Sequence, residues 1–233
     1  MCHWISETRP TIFKVLSYTQ YNKENIVADV TPKINSLMES YLTKKIYEDS
    51  RPLCVAILGT NNKKKIYYKN AGGRYWRLVK SFPTFYESER GSMTSTEKTM
   101  EVSPELVPMI VSLLSSSLFY WYWRVSSNCR HLTNRELDVF PITNSLIEHC
   151  DDIRDYHTRF EESLIINKER TVTHSESKGD IIQDFYYVKY SKSIIDMIDT
   201  VLARHYGFTD EELDFIINYD IKYRMGDELN NGD

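Results

Sequence analysis

The sequence predicts an α+β fold: a mixed or antiparallel β region with a long core helix, followed by a helical spacer and C-terminal helices. Three observations predict it. Short β-branched and aromatic runs crowd the N-terminal half, two of them separated by a double glycine. An uncharged run of 18 residues, Leu106–Trp123, follows them. Beyond residue 143, apolar residues recur mainly at helical spacing.

Taken in order, the residues up to about Val30 read as short strands and turns. Ile34, Leu37, Met38, Tyr41, Leu42 and Ile46 stand near helical spacing and predict a helix over 32–48. Strand-like runs follow at Leu53–Leu58, Lys65–Lys69 and Tyr75–Val79. Asn70-Ala71-Gly72-Gly73 separates the last two. Its glycines permit positive φ and a tight reversal, so 65–80 reads as a β-hairpin with one face toward the core. Ser103 as N-cap and Pro104 at the first helical position open the core helix, and Pro141 marks a break after it. Leu146, Cys150, Ile153, His157, Phe160 and Leu164 then follow a 4-3-4-3-4 spacing, a narrow stripe on a helix of about six turns. The polar stretch Glu169–Asp180 reads as a surface loop or linker. A helix from Lys192 to His205 stops at Gly207, and Thr209 with Glu212 forms a capping box for a last helix through Ile217. The chain divides into 1–142 and 143–233.

The 233 residues, 41% of them hydrophobic and 13% aromatic, are enough for a substantial core. Four scattered cysteines without metal-ligand spacing, and no secretory signal, predict a reduced cytoplasmic protein. Pro108, four serines and two tyrosine hydroxyls make 106–123 a buried core helix rather than a membrane span. Glycine-rich phosphate loops, an Asn-Pro-Pro-Tyr segment and a nucleophile–histidine–carboxylate set are not recognised. The histidines lack metal spacing apart from the wide pair His149 and His157, which one helix would place on the same side.

Ser50–Tyr86 carries eight basic residues and no carboxylate, with Tyr67, Tyr68, Tyr75 and Trp76 interleaved among the cations of Lys65–Lys80. Cations attract phosphates and aromatic faces stack on bases, so the segment reads as a DNA-binding surface. An edge hairpin whose lysines suppress aggregation fits Lys63-Lys64-Lys65 as well. The charge of the chain is polarised: residues 1–137 hold 19 Lys/Arg against 12 Asp/Glu, a net +7, and residues 138–233 hold 10 against 21, a net −11. One half suits a polyanion, and the other suits water or a protein partner. Two other classes stay open. One is an interaction module using the 17 tyrosines. The other is a small Mg-dependent nuclease using Asp214, Asp220 and Lys222.

Three blocks carry a family likeness: KIYYKNAGGRYWRLVKSFPTFY, SSLFYWYWRVSSNCRHLTNRELDVFPI and VLARHYGFTDEELDFIINYDIKYRMG. They resemble the C-terminal target-recognition portion of type II (IIG-like) restriction–modification enzymes, single chains built around an adenine-N6 DNA methyltransferase. The likeness runs from about residue 50 to about residue 226. It implies a recognition domain in 1–142 and a helical spacer in 143–233, with double-stranded DNA and a methyltransferase or nuclease domain or subunit as partners. It implies no catalytic residue in this chain and no cofactor of its own. S-adenosylmethionine and Mg belong to the catalytic regions that this chain lacks. On this reading the hairpin and the Arg124–Arg135 segment form one DNA-facing surface. The candidates are Lys65, Tyr68, Asn70, Arg74, Trp76, Arg77, Lys80, Arg124, Asn128, Arg130 and Arg135, with arginine and asparagine contacting bases and lysine holding phosphates.

Overall fold

A computed structural model describes residues 32–226, except 35, 57–61, 72–75, 90–93 and 95. The expected opening strands, the end of the Leu58 run, the turn glycines Gly72 and Gly73, and Arg74 and Tyr75 lie outside the described residues.

The observed architecture is α+β; among the described residues, helices and three small antiparallel sheets surround a shared core. Helix α1 (Leu37–Tyr47) begins where the Ser36 side chain accepts the Glu39 N–H at 3.1 Å, five residues later than the spacing predicts. Strand β1 (Ser50–Pro52) precedes a single helical turn, α2 (Leu53–Ala56), which replaces the strand expected there. Next come β2 (Lys64–Lys69), β3 (Val79–Lys80), β4 (Tyr86–Glu87) and β5 (Glu97–Val102). Strands β3, β2 and β5 form one sheet in that order, with Tyr67 opposite Lys80 and Lys69 opposite Glu97. Ile66 and Tyr68 face the core, which leaves Lys65, Tyr67 and Lys69 on the other face.

The expected core helix is two helices, α3 (Val107–Ser115) and α4 (Ser117–Ser126), bent by 63°. No single helix among the described residues is long and apolar enough to cross a membrane. The break falls in Ser115-Ser116-Ser117, and every donor it frees has an acceptor. Ser116 Oγ takes the Phe119 N–H at 3.0 Å, and the buried Asp199 carboxylate takes those of Ser117 and Leu118, each at 3.2 Å. Trp121 and Trp123 are fully buried, and Phe119 and Tyr122 meet Phe140 edge-on with ring centres 5.3 and 4.7 Å away.

After α5 (Asn134–Asp138), β6 (Pro141–Thr143) pairs with β1. The expected long striped helix is α6 (Asn144–Glu148), a 3-10 turn at Cys150–Ile153 and α7 (Arg154–Ile166), broken at His149. The stripe still holds: Leu146, Ile153, Phe160 and Leu164 are all fully buried. Glu169–Asp180 is no linker, because β7 (Glu169–Ser175) and β8 (Gly179–Phe185) make a hairpin of seven paired positions. β4 joins its free edge through Tyr86–Gln183 and Glu87–Ile182, so backbone pairing links the two halves of the chain across residue 142.

Helices α8 (Lys192–Tyr206), α9 (Asp210–Asn218) and α10 (Ile221–Met225) close the fold. α8 ends at Gly207 with φ +66°, and the Thr209–Glu212 box opens α9, both as the sequence predicts. A Cβ at Gly207 would meet nothing within 4 Å, so Gly207→Ala tests conformational strain alone. The expected loss is about 1–2 kcal/mol by urea denaturation, the usual cost of a left-handed non-glycine residue. No measurable change would mean that the helix end re-forms in another conformation.

Candidate nucleic-acid interface

Alternation along β2 and packing against the helices sort the candidate residues into inward and outward groups. Tyr68 points into the core, 3% exposed, and its hydroxyl donates to Asn134 Oδ1 at 2.8 Å. Trp76 is half-buried; its Nε1 donates to the Arg224 carbonyl at 2.7 Å and its ring centre lies 4.2 Å from the Arg224 guanidinium carbon. Arg77 is 4% exposed, with its guanidinium carbon 3.7 Å from the centre of the Trp123 ring. Burial pushes its pKa down to about 10, and Nε and Nη1 have no hydrogen-bond partner among the described residues. Lys80 is fully buried and donates to Glu97 Oε1 at 2.7 Å and to the Phe82 carbonyl at 2.8 Å. The rings of Phe82, Tyr186 and Tyr67 stand 5.1–5.5 Å from its ammonium.

For Tyr68, Arg77 and Lys80 the expected solvent-facing position is therefore corrected. Alternation along β2 turns Tyr68 inward with Ile66, and for Arg77 and Lys80 the reason is aromatic density: Trp123 and Tyr186 offer π faces that accept a cation. Lys65 is exposed opposite Glu101, and Arg74 lies outside the described residues. Asn70 sits at the turn end of the hairpin, half-buried.

The Ser127–Thr133 loop meets that same end. Its backbone is held at many points. The Leu132 N–H donates to the Asn70 carbonyl at 2.8 Å, Trp123 Nε1 to the His131 carbonyl at 3.4 Å, and the Arg130 N–H to Asn128 Oδ1 at 2.9 Å. Cys129 adopts φ +60°, with its thiol donating to the Arg124 carbonyl at 3.3 Å, and the Lys33 ammonium donates to the Ser127 carbonyl. With the backbone fixed, Asn128, Arg130 and His131 are exposed side chains on a rigid loop, and Arg135 is exposed on α5, which follows it. The guanidinium of Arg130 makes no hydrogen bond or ion pair among the described residues. Arg124 instead points back and pairs with Asp220 at 3.2 Å.

A cleft of about 260 Å³ opens beside the hairpin, between the β2–β5 sheet and the end of β8. Lys69, Trp76, Thr96, Gln183, Tyr186 and Tyr187 line it among others. Tyr186 carries a pKa pushed up to about 12 by burial and by the Asp184 and Glu97 charges. The sequence does not reveal this cleft because half its wall comes from residues 183–189, which follow the stretch expected to be a linker and are placed by the hairpin that stretch forms instead. The signal that could have found it is Phe185-Tyr186-Tyr187 following a Thr/Ile-rich run.

The carboxylates of the nuclease reading are engaged elsewhere. Asp220 accepts from Tyr120 at 3.0 Å and pairs with Arg124, and Asp214 accepts from Asn218 at 2.8 Å. The break leaves His149 between α6 and the 3-10 turn while His157 is on α7; the first stacks on His205 and the second pairs with Glu161 at 3.6 Å. Among the described residues no group of three or more His, Cys, Asp or Glu side chains stands in metal-ligand arrangement. No protein-family model, curated protein or solved structure matches the chain.

Proposed function

We propose that this chain is a sequence-reading DNA-binding domain that positions an adenine-N6 methyltransferase, and a nuclease where one is present, on its target site. The observation that carries the reading is the fusion of the hairpin end with the arginine-bearing loop. The Leu132–Asn70 and Tyr68–Asn134 hydrogen bonds join two segments far apart in sequence into one surface. A rigid loop presenting Arg130 and Asn128, with Arg135 on the helix that follows it, matches the chemistry of base edges and phosphates. The sequence resemblance and the basic N-terminal half support the same reading. The chain then needs no cofactor of its own, and S-adenosylmethionine and Mg serve the catalytic partner.

The test is binding of the purified chain to a duplex library at several salt concentrations, with sequencing of the bound fraction. Affinity falls as salt rises, and a short motif is enriched. In Arg130→Ala with Arg135→Ala, each lost phosphate contact lowers the salt slope by about 0.9, and each lost base contact weakens the preferred site by about 1–3 kcal/mol. The melting temperature stays close to that of the parent, since both side chains are exposed. Duplex affinity that ignores both substitutions would move the reading surface elsewhere.

A second reading, a protein-interaction module, is favoured by the exposed apolar side chains of Ile165, Ile166, Val172 and Tyr190 on the acidic half. In that case the chain binds no duplex at low salt.

A further inference from the structure

We propose that the cleft beside the hairpin binds a single nucleotide unit, with its base between the aromatic walls and its phosphate on Lys69; this rests on the DNA-reading proposal where the nucleotide belongs to a bound strand. Four observations converge on it. The first is size. At roughly 30 Å³ per water, 260 Å³ holds about nine waters, space for one bicyclic base but less than a drug-sized ligand needs.

The second is rigidity. Trp76 is fixed by its hydrogen bond to the Arg224 carbonyl and by the guanidinium over its ring. Tyr187 is fixed by its hydroxyl, which donates to Glu169 Oε2 at 2.7 Å, and Tyr186 packs edge-on against Phe82. Walls already held in place lose little freedom when a base stacks on them.

The third is charge. Lys69 shares its sheet face with Tyr67 and Lys80 and stands opposite Glu97 in the register. The Glu97 carboxylate is already taken by Lys80 and by both the N–H and the hydroxyl of Thr84. Asp184 is likewise taken by Lys168 and Arg170. Both carboxylates lining the cleft are thus neutralised, and the Lys69 ammonium has no ion pair among the described residues. Among the described residues, an anion entering the cleft meets an available cation and no free negative charge.

The fourth is the polar edge. The Gln183 side chain, on β8, makes no hydrogen bond among the described residues, and its amide offers both donors and acceptors to a base edge. A stacked base with an adjoining phosphate uses all four features together.

The same chemistry could arrive as a nucleotide extruded from bound DNA or as a free nucleotide, and the experiment separates the two. The whole chain is titrated with the four deoxynucleoside monophosphates by calorimetry, and separately with duplexes carrying 2-aminopurine at successive positions. Expected are saturable mononucleotide binding and increased 2-aminopurine fluorescence at one position. Lys69→Ala weakens mononucleotide binding about tenfold, the loss of one charge-assisted contact, and Lys178→Ala on the β7–β8 turn changes nothing. Retained duplex affinity without mononucleotide binding and without a fluorescence change overturns the cleft proposal and leaves the DNA-reading proposal standing. Mononucleotide binding that depends on Lys69, without duplex affinity, upholds the cleft with a free nucleotide as its ligand and removes the DNA reading.

Discussion

Replacing Lys80 by alanine is expected to destabilise the fold by about 3–5 kcal/mol, the cost of removing one partner from a buried ion pair. Lys80 is fully buried and the Glu97 side chain is only 12% exposed, so neither charge is well solvated. Burial lowers the Lys80 pKa, and the hydrogen bond to Glu97 and its charge oppose that change. Without it Glu97 retains the Thr84 N–H at 3.0 Å and the Thr84 hydroxyl at 2.5 Å but no counterion. The three rings around the ammonium are left facing a void as well. A double variant, Lys80→Met with Glu97→Gln, keeps the volume, removes both charges and is expected to recover most of the loss. Urea denaturation of the parent and both variants checks this. A loss below about 1 kcal/mol in Lys80→Ala would show a pair that exchanges with solvent, as surface pairs do. The result also bears on function, because Glu97 lines the nucleotide cleft and only a neutralised Glu97 suits an anionic ligand.

How much of the fold was legible in the sequence depended on whether the deciding contact was local. The stop at Gly207 and the box at Thr209–Glu212 are set by residues within one turn, and both read correctly. The bend between α3 and α4 did not read, because serine is tolerated in a helix and the carboxylate that caps α4 lies 82 residues away from Ser117. The β7–β8 hairpin was missed for another reason. Both faces of β7 are largely exposed, so no apolar alternation marks it, and only Val172 and the flanking threonines hint at a strand.

The site divided the same way. The hairpin was visible from its basic and aromatic run, yet composition could not say which cations would be buried. Arg77 lies against Trp123 and Lys80 lies beneath Tyr186, and neither ring is near its cation in sequence. The outward Arg130 was readable as a candidate, while the contact that joins its loop to Asn70 was not.

The same cap makes stability depend on pH. Asp199, on α8, is buried, and burial pushes its pKa up to about 6; the N–H groups of Ser117 and Leu118 and the charge of Arg224 oppose this only in part. Arg224 is itself held there by its hydrogen bond to Ser117 Oγ at 3.0 Å and by the rings of Trp76 and Tyr120. A carboxyl that holds its proton more tightly when folded stabilises the native state most below the unfolded pKa near 3.8. That contribution is lost as pH rises through about 6. Glu161, Glu212 and Asp184 have lowered pKa values and act in the opposite sense, losing their contribution as pH falls. Their effect cancels when parent and variant are compared at each pH. Asp199→Asn keeps an acceptor for the helix end and abolishes the titration. Its stability relative to the parent should therefore rise by about 3 kcal/mol between pH 3.5 and pH 7, since a tenfold change in proton affinity on folding is worth about 1.4 kcal/mol. A flat difference would mean that folding leaves the proton affinity of Asp199 unchanged, the Ser117 and Leu118 N–H groups and Arg224 offsetting burial in full.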